Sequence, residues 1–275
     1  VLTTRIAWLM HTGQVSPGGV MAVTFTNKAA REMMTRLSAM LPVNVRGMWI
    51  GTFHGLCNRM LRAHWKLANL PQTFQILDIQ DQLSALKRLY KQFNIDAERF
   101  PPKETQWFIN SCKEDAQRPK DIDPTDADTR KKIEIYDLYE DQCQREGVVD
   151  FAELLLRSYE LLKHHQPIRE HYQERFRHIL VDEYQDTNHA QYVLVRELVG
   201  EESDGFPPAE LCVVGDADQS IYAFRGATIR NILQFEEDYP NARTILLEQN
   251  YRSTQNILSA ANSVISQNES RKEKN

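Results

Sequence analysis

Apolar runs alternate with helix-spaced apolar positions at both ends of the chain, but not in its middle. Val20-Met-Ala-Val-Thr-Phe25 is a short apolar run, the pattern of a buried strand, and it leads into Thr26-Asn27. Lys28, Ala29, Ala30, Met33, Met34 and Leu37 then carry helical spacing behind that polar cap. Met48–Phe53 predicts a second strand, followed by a helix through Leu56, Met60 and Leu61, and Phe74–Leu77 a third. Residues 1–11 have the pattern of the tail of a helix. From about Asp78 to Gln173 the pattern predicts helices and no strand. Leu83, Leu86, Leu89 and Tyr90 are one helical group, Trp107 and Phe108 a second, and Ile133, Ile135, Tyr136 and Tyr139 a third. Pro101-Pro102 and Arg118-Pro119 break the run. Asp150-Phe-Ala-Glu153 has the spacing of a capping box, with Leu154–Leu156 and Leu161-Leu162 behind it.

Strand and helix signals resume at Ile179-Leu-Val181. A helix through Tyr192, Val195 and Leu198 follows, then a strand over Leu211–Val214 and a helix over Ile229–Phe235. Thr244–Leu247 predicts a last strand. Ser253 or Thr254 caps a final helix with Ile257 and Leu258, and the tail from about Gln267 is polar. The expected fold is α/β: a parallel sheet built from residues 1–77 and 176–275, with an all-helical subdomain, 78–175, inserted between its strands.

Composition sharpens this little, but charge does. The 275 residues are 41% hydrophobic and 26% charged, as in a soluble globular protein. No apolar run approaches the roughly twenty residues of a membrane span, and residues 1–10 lack the cationic start and small-residue cleavage site of a signal peptide. Cys57, Cys112, Cys143 and Cys212 are too far apart for a zinc site, so reduced thiols and a cytoplasmic location are expected. His164, His165 and His171 lack a carboxylate or thiol at ligand spacing and are assigned to solvent. The net charge of −5 hides an asymmetry: the first 75 residues carry eight basic side chains and one acidic, Glu32. A cationic region on an acidic chain suits a polyanion held locally, although a solvated helix face explains the charge equally well.

Candidate chemistry gathers where strands end. In an open α/β sheet, ligands bind outside the carboxyl ends of the strands. Asp182-Glu183 follows Ile179–Val181 at once, so the first carboxylate can hold a hard cation such as Mg²⁺ and the second can take a proton from water. Thr24–Ala30, Gly51–Gly55 and Gly215–Gly226 are polar clusters at three other strand ends.

In order and spacing these clusters resemble the motifs of superfamily 1 helicases, specifically the UvrD-like group. Thr24-Phe-Thr-Asn-Lys-Ala-Ala30 and Gly51-Thr-Phe-His-Gly55 match two of them, and Val181-Asp-Glu-Tyr-Gln-Asp186 resembles the Walker B element. Val214–Gly226 and Leu247–Thr254 match two more, so the likeness covers almost the whole chain.

The resemblance implies a RecA-like first motor core that uses ATP and Mg²⁺. Asp182 would coordinate the metal and Glu183 would activate the hydrolytic water. Gln219 would sense the γ-phosphate, Arg252 would contact it, and Tyr251 would stack on the adenine. Phe53, Tyr222 and Phe224 would form a base-stacking platform for single-stranded DNA, with Thr26, Asn27, His54 and Arg225 on phosphate or sugar. Position 224 is often Trp in the family. Trp49 is assigned to the core, and Asn110 and Lys113 to a solvated helix face, with duplex DNA as their other reading.

The resemblance further implies a 3′-to-5′ translocase or helicase that acts in DNA repair at single-strand/double-strand junctions, with repair proteins as partners and no membrane. One departure stands out. The family holds the phosphates with a glycine-rich loop ending in Gly-Lys-Thr, yet none of the eleven glycines here precedes a lysine. That loop comes just before the helix that Val1 continues, so the expectation is a piece of a first motor core, inactive as an ATPase by itself. The other readings are a non-catalytic single-stranded-DNA-binding module and the first core of a helicase–nuclease of the RecB or AddA kind.

Overall fold

The computed structural model describes residues 1–202, 204–223 and 226–268. The chain runs α1 (Leu2–His11), β1 (Val20–Thr24), α2 (Asn27–Met40), β2 (Trp49–Thr52), α3 (Phe53–Ala63), β3 (Gln75–Leu77), α4 (Ile79–Phe93), α5 (Pro102–Glu114) and α6 (Ala127–Glu146). It continues through β4 (Val148–Asp150), α7 (Phe151–His164), α8 (Gln166–Arg175), β5 (His178–Val181), α9 (His189–Val199) and β6 (Glu210–Val213). Two short helices, α10 (Arg230–Leu233) and α11 (Phe235–Asp238), precede α12 (Gln255–Ile265).

The central sheet has the order β2-β1-β5-β6, and every pair in it is parallel. All five residues of β1 and all four of β5 are buried, as expected of strands covered on both faces. Side chains alternate between those faces. Met21, Val23, Trp49, Ile179 and Val181 point into one core, where they meet α3, α7 and α9. Val20, Ala22, Ile50 and Leu180 point into the other, where Leu2, Ile6, Met33 and Leu37 of α1 and α2 cover them. Each fully buried aliphatic side chain contributes about 1.5–3 kcal/mol, so the alternation alone fixes the register firmly.

The helical insertion has its own core, where Leu86, Leu89, Ile109, Ile135, Tyr136 and Tyr139 of α4, α5 and α6 pack together. It differs from the expected all-helical unit in two ways. Gln75–Leu77 does not join the main sheet. It pairs in parallel with Val148–Asp150, a strand that the sequence does not predict because its apolar run is only two residues long. In addition, α7 and α8 pack on the main core through Leu154, Leu155, Leu161, Leu162 and Tyr172, so the insertion's separate core ends near residue 146 rather than 175.

Asp150 caps α7 by accepting from the Glu153 amide at 2.8 Å. The reciprocal half of the expected capping box is missing, because the Glu153 carboxylate binds Lys113, Arg118 and Arg157 instead, each at 2.8 Å. The predicted strand Thr244–Leu247 does not form among the described residues. Ile245, Leu246 and Leu247 are exposed, and an apolar run without a neighbouring strand has no ladder to join.

Candidate active site

Parallel pairing lines up the carboxyl ends of β1, β2, β5 and β6. Thr24 lies opposite Thr52, and Val23 opposite Val181. The Asp182 amide donates to the Val23 carbonyl at 2.9 Å, and the Val214 amide to the Val181 carbonyl at 3.0 Å. The polar clusters at these four strand ends therefore share one rim. Asp182 opens onto a cleft of about 200 Å³, lined also by Leu2, Thr24, Glu32, Arg36 and Val214. Burial holds the Asp182 carboxyl above its usual range, and the charge of Glu183 pushes the same way, although the Glu183 amide donates to it at 3.0 Å.

Glu183 is one of four non-glycine residues with positive φ among the described residues, at φ 47° and ψ 46°. A left-handed residue other than glycine costs about 1–2 kcal/mol, and such strain tends to collect at functional sites. Here it turns the chain out of β5 and leaves the Glu183 side chain exposed beside Asp182.

The buried Gln185 then ties the turn to the next strand end. Its Nε2 donates to Glu183 Oε2 at 2.7 Å, and its Oε1 accepts from the Asp216 amide at 3.1 Å. Asp216 Oδ2 accepts in turn from Gln219 Nε2 at 3.0 Å. A continuous relay thus runs Glu183–Gln185–Asp216–Gln219. Gly215 allows it, because a Cβ there would stand 2.7 Å from Gln185 Oε1 and 2.7 Å from Ile232 Cδ1. Sequence reasoning found both ends of the relay and missed Gln185 and Asp216. The one available signal was an amide two residues beyond a candidate base.

The loop after Gln219 is tied back by the Thr228 amide, which donates to the Thr187 carbonyl at 2.9 Å. Tyr222 in that loop is 37% exposed. Phe224 and Arg225 lie outside the described residues. Thr26 and Asn27 are exposed at the start of α2, where Thr26 Oγ1 caps the helix by accepting from the Ala29 amide at 3.1 Å. His54 is half-buried, its ring edge-on to Phe151 at 5.9 Å, and burial pushes its pKa down.

Three expectations are corrected. Phe53 is not a surface platform. It is the first residue of α3, 4% exposed, and packs edge-on against Phe25 at 5.6 Å, because the strand stops at Thr52 and the helix turns the ring inward. Tyr251 and Arg252 are not brought to the cleft. Tyr251 is 91% exposed and Arg252 is exposed, on the segment where the expected strand is unformed. Lys113 is neither a solvated side chain nor a DNA contact, being buried at 2.8 Å from both Asp150 and Glu153, while Asn110 Nδ2 donates to Gln82 Oε1 at 3.2 Å.

Among the described residues no three His, Cys, Asp or Glu side chains gather to cage a metal. That donor set still fits Mg²⁺, which takes one or two carboxylates and completes its shell with water and phosphate oxygens. Asp182 is so placed, since the other carboxylate of the cleft, Glu32, pairs with Arg36. The four cysteines are free thiols, and no described helix is long and apolar enough to cross a membrane.

A parallel sheet with acidic residues at a strand end and a helical insertion is a RecA-like motor fold, the class of the helicase cores. The chain belongs to the UvrD/REP helicase family, whose N-terminal-domain model matches residues 1–240. It is 52% identical to DNA helicase II of Escherichia coli over 98% of this chain. It is 50% identical to the ATP-dependent DNA helicase UvrD1 of Mycobacterium tuberculosis and 44% identical to the ATP-dependent DNA helicase PcrA of Bacillus subtilis, in each case over 100% of this chain. The chain spans 37%, 36% and 37% of those three proteins.

Proposed function

We propose that this chain is part of an ATP-driven motor that moves 3′-to-5′ along single-stranded DNA and opens duplexes at single-strand/double-strand junctions during DNA repair. The observation that carries the proposal is the relay from Glu183 through Gln185 and Asp216 to Gln219. It joins a candidate base to the loop that bears Tyr222, so events at one strand end are felt at the next.

Phosphoryl transfer consists mostly of positioning a water and neutralising charge on the γ-oxygens. Glu183 is the group that takes the proton from the attacking water. Its left-handed backbone turns the chain at the end of the strand, and Gln185 holds one of its carboxylate oxygens in place. Asp182 is the residue that would hold Mg²⁺, which supplies charge neutralisation at the phosphates when bound. Gln219, at the far end of the relay, answers to the state of the γ-phosphate. Thr26, Asn27, His54 and Tyr222 lie along the same rim and offer polar and aromatic contacts to a single strand, with Phe224 and Arg225 in the same loop sequence. Tyr251 and Arg252 join the nucleotide only if their segment folds onto the cleft.

Turnover of ATP by the full-length protein, measured with and without single-stranded DNA, tests the reading, together with strand displacement from partial duplexes bearing a 3′ or a 5′ tail. DNA-stimulated turnover and displacement from the 3′-tailed substrate are expected. Turnover indifferent to DNA would remove the motor, and preference for the 5′ tail would reverse the direction. DNA-repair proteins are the partners to test in pull-down experiments.

A further inference from the structure

The opposite rim of the sheet carries a cluster that the motor chemistry does not use. Two guanidiniums approach the ring of Trp49 at the amino end of β2, Arg59 at 4.3 Å and Arg175 at 5.6 Å from its centroid. Backbone carbonyls hold both. Arg59 donates to Met48 and Gly47 at 3.3 and 3.0 Å, and Arg175 donates to Gly18 at 3.1 Å. Burial and the neighbouring Arg175 push the pKa of Arg59 down. Close by, His64 shares a 2.8 Å hydrogen bond with Tyr172, and burial and His171 push its pKa down too.

Arg62 follows Arg59 at i+3 on α3, and Lys66 lies in the turn just beyond that helix, both of them exposed. None of Arg59, Arg62, Lys66 and Arg175 has a carboxylate partner among the described residues, whereas Arg5, Arg36, Arg88, Arg99 and Arg196 each do. Like charges gathered without an acidic partner, two of them held by carbonyl dipoles, are arranged to receive an anion. The planar fork of arginine suits phosphate in particular.

Gly18, Met48 and Arg175 precede β1, β2 and β5, so this patch faces away from Asp182 and Thr24, which lie at the other ends of the same strands. We propose that the patch is a second contact for the phosphodiester backbone of nucleic acid, separate from the strand-end rim. The partly exposed Trp65 and His64 among the cations favour nucleic acid over an acidic polypeptide, because bases stack on such rings. The proposal rests on the DNA-binding reading of the proposed function.

The test uses the full-length protein, the exposed pair R62Q/K66Q and, separately, R59Q/R175Q. Affinity is measured against salt for a blunt duplex, a long single strand, a single strand too short to reach both rims, and polyglutamate. R62Q/K66Q is expected to weaken binding of the duplex, the long strand or both by about tenfold, and to lower the salt slope by about 0.9 for each phosphate no longer neutralised. Short-strand affinity and ATP turnover stay unchanged. Loss on the duplex alone assigns the patch to paired DNA, and loss on the long strand alone to the continuing single strand. R59Q/R175Q, if it folds with wild-type circular dichroism, shows the same pattern. Unchanged slopes on both long substrates overturn the proposal, as does equal weakening on the short strand or loss confined to polyglutamate. If the wild-type protein binds none of the DNAs, the DNA reading itself fails.

Discussion

Glu183 shows how much one residue's backbone can decide. Its left-handed conformation lets two adjacent carboxylates serve different ends, with Asp182 turned to the cleft and Glu183 to the relay. In the full-length protein, E183Q should bind ATP normally and lose turnover by about 10²–10⁴-fold, the usual worth of a general base. Turnover near wild type would reassign the base. Asp182 makes the opposite kind of prediction. A carboxyl raised in the fold binds its proton more tightly there than in the unfolded chain, so stability falls as pH rises from the ordinary carboxylate value through the raised one. D182N lacks that loss and should melt at a higher temperature than wild type at neutral pH, while ATP turnover disappears. An unchanged or lower melting temperature at neutral pH would mean that burial does not strain this group. Both residues were legible in the sequence because they are neighbours behind an apolar run. Gln185 and Asp216 were not, since their contact spans 31 positions and depends on where two turns meet. Phe53 was misassigned for a local reason: ending β2 at Thr52 rather than Phe53 turns the ring from the surface to the core.

At the scale of elements, the main sheet was readable from its apolar runs, and the apolar stretches of β1, β2, β5 and β6 all lie within predicted runs. In the short ladder, β3 lies within the predicted run Phe74–Leu77, but its pairing with β4 was not readable, because β4 offers only two apolar residues and no periodicity. Two elements meet closely at Gly215, just past β6. G215A adds a methyl group into Gln185 and Ile232, and should cost about 1–3 kcal/mol as overpacking. Chemical denaturation measures this, and DNA-stimulated turnover should fall with it as the relay is displaced. The helices of the insertion depend on one buried cation. Lys113 of α5 faces Asp150 and Glu153, and Tyr139 of α6 donates to the same Asp150 oxygen at 2.8 Å. K113M leaves two buried carboxylates short of a partner and should destabilise the protein by about 3–5 kcal/mol. A loss below about 1 kcal/mol would mean that Arg118 and Arg157 suffice.

For the whole molecule, the insertion and the motor core also meet at Glu114. Its carboxyl lies against the Gly226 turn, 2.6 Å from where a Cβ at that position would stand. Burial, then the charges of Asp115 and Asp150, push its pKa up to about 7. Because the fold favours the protonated form, stability is greatest below the ordinary carboxylate value and is lost as pH rises through about 7. The melting temperature should therefore decline between about pH 5 and pH 8 in wild type, and E114Q should flatten the decline. A parallel decline in both proteins would place the titration elsewhere.

The β3–β4 ladder has a mechanical side. The chain leaves for the insertion and returns from it along adjacent tracks, with Gln75, Ile76 and Leu77 laced to Val148, Val149 and Asp150. The returning track then sinks α7 into the sheet's own core. A protease that clips the exposed stretch at residues 123–126 would therefore cut one covalent tether and leave the seam closed. The two pieces should travel together through a sizing column and part only in denaturant.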